Sequence, residues 1–144
     1  MDGPIGGTRK DNAVQATQTK KYRVMIVDDE EDITSIFKIG LERNEFIVTT
    51  FNDPLKALAA FKPGMFDLLM LDIRMPGLNG FELYQKIRNV DTTVKVCFLT
   101  AFETYRPEFS KAFPFLDEVR CFLKKPITVS DLIQKLLDLA SGHK

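Results

Sequence analysis

Five side chains have types and positions that suit joint chemistry. Asp28 and Asp29 follow the apolar run Val24-Met-Ile-Val27. Asp72 follows Leu68-Leu-Met-Leu71, Thr100 closes Val96-Cys-Phe-Leu99, and Lys125 comes just after Cys121-Phe-Leu-Lys124. Three carboxylates at one place repel unless a cation neutralises them. Oxygen-only donors suit magnesium, which takes one or two carboxylates and a phosphate while keeping several waters. An aspartate can attack phosphorus and carry an aspartyl phosphate. A lysine and a metal balance charge on the transferring phosphoryl group, and a threonine hydroxyl can donate to one of its oxygens.

Such convergence needs elements that end together. From Tyr22 the chain alternates between β-rich runs and stretches of helical spacing. The strands are Tyr22–Val27, Phe46–Phe51, Phe66–Leu71, Val94–Leu99 and Arg120–Leu123. Between them Glu31–Asn44, Leu55–Phe61 and Phe81–Val90 read as helices, the second opened by an Asp53 cap and Pro54. Glu103–Leu116 reads as a fourth helix interrupted by Pro107 and Pro114. A fifth follows Thr128, whose spacing to Asp131 approximates a capping box. Strands alternating with helices imply right-handed crossovers and a parallel sheet covered on both faces. Periodicity leaves the strand order open. In an open α/β sheet the ligand site lies at the carboxyl ends of the strands, which is where all five residues fall.

Each residue also has a plain structural reading. An aspartate run favours the positive end of a helix dipole, and Glu30, Glu31 and Asp32 are read that way. Asp72 before Met75-Pro-Gly is suited to a turn, Thr100 to a cap, and Lys125 to solvent. None of these readings accounts for convergence on one rim.

The composition narrows the classes. The chain has 144 residues, enough for one cored domain. Twenty basic and twenty acidic side chains cancel, which argues against direct nucleic-acid binding. No apolar run is long enough to insert in a membrane, and no secretory signal is seen. Residues 1–20 read as a disordered tail and 21–142 as the folded domain. Cys97 and Cys121 sit in apolar runs and read as reduced core residues, which suits a cytoplasmic location.

The segments VMIVDDEEDI, LLMLDIRMPGLNGFEL, FLTA and FLKKPIT, in this order, resemble the receiver domain of two-component response regulators, similar to stand-alone chemotaxis-type receivers. The resemblance covers about Tyr22 to Ala140. It implies a flavodoxin-like, doubly wound five-stranded sheet of order 2-1-3-4-5. It implies a phosphorelay protein that accepts a phosphoryl group from a sensor histidine kinase on Asp72. Its only chemistry of its own would be self-phosphorylation and slow self-dephosphorylation. Asp28, Asp29, Asp72 and the Arg74 backbone carbonyl would hold Mg²⁺. Thr100 and Lys125 would bond the phosphoryl group, and Phe122 takes the place of the rotating switch aromatic. Lys125, rather than Lys124, is selected by its place before Pro126, with a cis Lys125–Pro126 bond. An output protein, or a second copy, would meet the face of the fourth helix, fifth strand and fifth helix.

The chain also departs from the family pattern. Arg74 stands where Asn is frequent, and Phe102 is bulky; both flank the path of hydrolytic water, so a long-lived phosphoryl group is expected. Phe122 lacks a switch hydroxyl. Phe98, Phe102, Tyr105, Phe109, Phe113, Phe115 and Phe122 crowd the last two units, and some are expected to form an exposed partner surface. The alternatives are a phosphorylation-independent binding module or a haloacid-dehalogenase-type phosphatase. The latter needs a second acid where Arg74 stands, and a guanidinium does no acid–base work near neutral pH.

Overall fold

A computed structural model describes residues 21–101 and 111–142. Five strands, β1 (Arg23–Val27), β2 (Ile47–Phe51), β3 (Leu68–Asp72), β4 (Lys95–Thr100) and β5 (Phe122–Lys124), form one sheet. All neighbours are parallel and the order is β2-β1-β3-β4-β5. The helices are α1 (Glu31–Glu42), α2 (Pro54–Ala60), α3 (Gly80–Arg88) and α4 (Val129–Ser141), with a 3₁₀ turn at Pro114–Glu118. The expected fourth helix falls largely in residues 102–110, outside the described segments, so α4 is the fifth helix of the sequence reading. The expected tail lies outside them too.

The strand pleat sorts the apolar residues into two cores. Met25, Val27, Leu69, Leu71, Val96 and Phe98 face α2, α3 and the 3₁₀ turn. Val24, Ile26, Leu68, Met70, Cys97 and Leu99 face α1 and α4. Strand β3 is buried at every position, as a central parallel strand covered on both faces must be. Phe81 and Phe98 meet edge to face at 4.9 Å between centroids. Such a pair adds about 0.5–1.5 kcal/mol beyond area burial.

Local signals set the helix ends. The Asp53 carboxylate accepts from the Leu55 N–H at 2.9 Å, with Pro54 opening α2. Thr128 accepts from the Asp131 N–H at 3.0 Å to start α4. A reciprocal capping box starts α3: Asn79 accepts from the Glu82 N–H, and Glu82 accepts from the Asn79 N–H. That Asn-x-x-Glu signal is legible in the sequence.

One expectation changes here. Cys97 of β4 and Cys121, just before β5, are joined in a disulfide, and no cysteine among the described residues is free. Parallel register sets the neighbouring pair Phe98 and Phe122 opposite each other, so the cysteines also face each other, 4.6 Å apart at Cα. Two apolar runs cannot reveal this until their pairing is known. The thiol-based argument for a reducing compartment therefore falls away. Among the described residues, no helix is long and apolar enough to cross a membrane.

Of the seven crowded aromatics, four lie among the described residues. Phe98 and Phe115 are buried, and Phe113 and Phe122 are half-buried against the same core. Phe102, Tyr105 and Phe109 lie outside the described residues. Among the described residues, the exposed large apolar side chains are Ile36, Ile39, Ile47, Leu55, Met65, Val90 and Leu137, the last of them on α4.

Candidate functional site

The chain runs from β1 outward to β2, then crosses back to β3 on the other side of β1. Between β1 and β3 the connections leave in opposite directions, opening a crevice at the strand carboxyl ends. Asp28 follows β1 and Asp72 ends β3, so both flank that crevice. Both are buried, whereas Asp29 is exposed at the mouth. Carboxylate oxygens of Asp28, Asp29 and Asp72 lie within 4.8 Å of one another.

The opposite wall comes from β4 and β5. Thr100 ends β4 and is buried. Its carbonyl accepts from the Lys125 N–H at 2.7 Å, which ties the two chain exits together. Lys124 is paired with Thr100 across the ladder and is exposed, while Lys125 turns into the site. The Lys125–Pro126 peptide is cis. Lys125 Nζ lies 2.9 Å from Asp28 Oδ2, 2.7 Å from Glu30 Oε1 and 3.8 Å from Asp72 Oδ1.

Phe122 stacks on Phe98 at 5.6 Å, just below this wall. Arg74 is exposed at the rim, and its backbone N–H donates to the Asp72 carboxylate. Thus Asp28, Asp29, Asp72, Thr100 and Lys125 are brought together, with Arg74 at the edge and Phe122 behind. Phe102 lies outside the described residues.

Four supporting residues, Asn52, Thr34, Gly80 and Glu30, were not assigned to the site from the sequence. Asn52 donates from Nδ2 to the Asp28 carbonyl at 2.8 Å and to Thr34 Oγ1 at 3.0 Å. Thr34 in turn donates to the Glu31 carbonyl. This chain of bonds ties the acidic loop to β2 and α1. Gly80 packs against the backbone of Asp72, its N–H donating to the Ile73 carbonyl at 2.8 Å. Glu30, read as a dipole residue, turns its carboxylate onto Lys125. Only Glu30 carried a signal, its charge, and charge is common at helix starts.

The electrostatics follow from crowding. Burial, then the nearby Asp28 and Asp29 charges, push the Asp72 carboxyl up to about 7, against the pull of Lys125 and the Arg74 N–H. Burial likewise raises Asp28, although the Glu30 N–H and Lys125 counter it. For Lys125, burial acts downward, but Glu30, Asp28 and Asp72 outweigh it and push the ammonium up to about 12. Asp28 Oδ2 is buried, with the Lys125 ammonium at 2.9 Å. Three crowded carboxylates against one ammonium still leave a net negative charge, which is costly to hold in a buried site. A hard cation at the three carboxylates relieves their repulsion. The residues present therefore fit a magnesium site.

Fold and site together define a doubly wound α/β domain with an acidic, lysine-closed pocket at its switch point. Residues 24–137 match the response regulator receiver domain family, and the chain belongs to it. The chain is 30% identical over 114 residues to the transcriptional regulatory protein PrrA of Mycobacterium bovis, covering 79% of this chain and 48% of the relative. With CseB of Streptomyces avermitilis it shares 38% identity over 82 residues, 57% of this chain and 34% of that protein. The chain spans 50% or less of the curated relatives it matches. Among solved structures, the response regulator TrrA of Thermotoga maritima, in complex with Mg²⁺-BeF, superposes with a TM-score of 0.68 at 30% identity, covering 82% and 98% of the two chains. A CheY-like receiver domain protein from Methanospirillum hungatei gives 0.75 at 24% identity, covering 85% and 96%, which speaks for the shared fold.

Proposed function

We propose that this receiver domain takes a phosphoryl group on Asp72 from the phosphohistidine of a sensor kinase, with Mg²⁺ bound. The observation that carries this reading is the buried Asp72 carboxylate, set between two further aspartates and a lysine at the switch point. Asp28, Asp29 and Asp72, with the Arg74 carbonyl, are the residues that would hold the metal. Bound there, magnesium supplies positive charge against the carboxylates and the transferring oxygens.

The remaining roles belong to the chain. An Asp72 oxygen attacks phosphorus; as that O–P bond forms, the bond from phosphorus to the donor's imidazole nitrogen breaks, and the imidazole leaves with the electron pair. Lys125 bonds the phosphoryl oxygens from one side and Thr100 from the other. The phosphoryl group carries a charge of about −2 where the carboxylate carried −1, and it biases Thr100 and Phe122 toward a second arrangement. An output protein then meets the surface carried by the fourth helix, β5 and α4, a face that also suits self-association. The zero net charge supports a protein partner over nucleic acid.

The test is intact mass after incubation with Mg²⁺ and acetyl phosphate, beside Asp72→Ala. A gain of about 80 Da only where Asp72 is present is the expected result. Decay over minutes rather than seconds is expected, because Arg74 and Phe102 are bulky residue types at positions that the resemblance sets beside the water path. No adduct in either protein favours the phosphorylation-independent binding module.

A further inference from the structure

Glu30 is the N-cap of α1 through its backbone alone. Its carbonyl accepts from the N–H groups of Ile33 and Thr34 at 3.1 and 3.2 Å, while its side chain makes no capping bond. Its own N–H donates to Asp28 Oδ1 at 2.9 Å. The carboxylate is therefore free of helix duty and anchored next to the acidic pocket. It lies 2.7 Å from Lys125 Nζ, the shortest of that ammonium's three carboxylate contacts among the described residues and a contact across 95 positions of sequence.

An ammonium has three donors. One is spent on Glu30, and Asp28 lies within reach of another, while Asp72 stands back at 3.8 Å. A phosphoryl group on Asp72 needs the same ammonium. Lys125 must then turn from Glu30 toward Asp72. The two acidic partners differ in how easily they let go. Asp28 is buried and would be left as an unpaired charge. Glu30 has a side chain 60% exposed and rehydrates at once.

We propose that Glu30 is a positioning residue, a releasable latch that holds Lys125 back from Asp72 until a phosphoryl group competes for it. This rests on Asp72 being the phosphoacceptor. Because one partner is open to water, the effect is that of a screened pair: Glu30→Gln accelerates phosphorylation about threefold to fivefold.

The test compares wild type, Glu30→Gln, Lys125→Ala and the double variant of the full chain, each with phosphoramidate and Mg²⁺. Adduct growth is followed by intact mass. The latch requires acceleration where Lys125 is present and none in the Lys125→Ala background. Equal acceleration in both backgrounds means general repulsion of the donor and overturns the latch; no acceleration in either also overturns it. Melting temperatures of the four proteins give a second cycle, needed if Lys125→Ala takes no phosphoryl group. There the two substitutions must be non-additive, and additive shifts overturn the latch. Wild type taking no phosphoryl group would instead refute the acceptor reading, an outcome separate from an unresponsive Glu30→Gln in a chain that is phosphorylated.

Discussion

At pH 8 the Asp72 carboxyl is ionised in a place that resists ionisation. Its folded value, about 7, lies above the ordinary 3.8 because the site is buried and already holds Asp28 and Asp29. Between those values the folded chain keeps a proton that the unfolded chain has released. Stability from this group is thus full below about pH 4 and lost as pH rises through 7. Asp72→Asn removes the penalty. It is expected to raise Tm at pH 8 by roughly 4 °C or more, the shift that about 1 kcal/mol produces in a domain of this size. Near pH 4 the two proteins should melt together. Adding Mg²⁺ at pH 8 should stabilise wild type and leave Asp72→Asn less affected. A variant that melts with wild type at both pH values would show that Asp72 titrates normally.

At the scale of elements, the site depends on how closely α3 approaches the end of β3. A Cβ on Gly80 would overlap the Asp72 carbonyl and crowd the Ile73 backbone, neither of which is a flexible side-chain end. Gly80→Ala is therefore expected to cost about 1–3 kcal/mol and to slow phosphorylation, because relief requires moving Asp72 itself. Urea unfolding and adduct growth read the two effects separately; normal rates in a destabilised variant would remove Gly80 from the site's support. The pairing of β4 with β5 carries a second prediction. Alkylation of denatured, unreduced protein should label neither Cys97 nor Cys121, and reduction should expose both. Loss of the crosslink should lower stability by about 2–4 kcal/mol. Labelling of both before reduction would return the cysteines to the free state.

Over the whole molecule, chemistry and structural fastening occupy opposite ends of the sheet. Asp91, before β4, is buried and accepts from the Gly64 N–H at 2.9 Å, the Thr93 N–H at 2.9 Å, the Thr93 hydroxyl at 2.7 Å and the Val94 N–H at 3.3 Å. The Gly64 N–H, aided by those of Thr93 and Val94 and opposed by burial, holds its carboxyl below the ordinary value. The sign is opposite to that of Asp72: its stabilisation is present above pH 4 and lost as pH falls through the depressed value. Asp91→Ala should cost about 2–3 kcal/mol at pH 7, with the difference from wild type shrinking in acid. Phosphorylation of the folded variant should be unchanged. A slowed rate would mean that the two ends are coupled.

Much of this protein was written in local order. Alternating apolar runs define five strands, and Asp53, Pro54 and Thr128 mark helix starts, because caps and periodicity act within a few residues. The ends of those strands already single out Asp28, Asp29, Asp72, Thr100 and Lys125. What pairs with what was not local. Opposed Cys97 and Cys121 needed the β4–β5 register, and the inward Phe98 and Phe115 needed the packed layers. Asn52 on the Asp28 loop and Glu30 on Lys125 needed loops distant in sequence to close on one crevice. A side chain's type sets the bonds it can make, but its partner is whichever group the folded chain brings within reach. For Glu30 that group is Lys125 rather than the helix beside it.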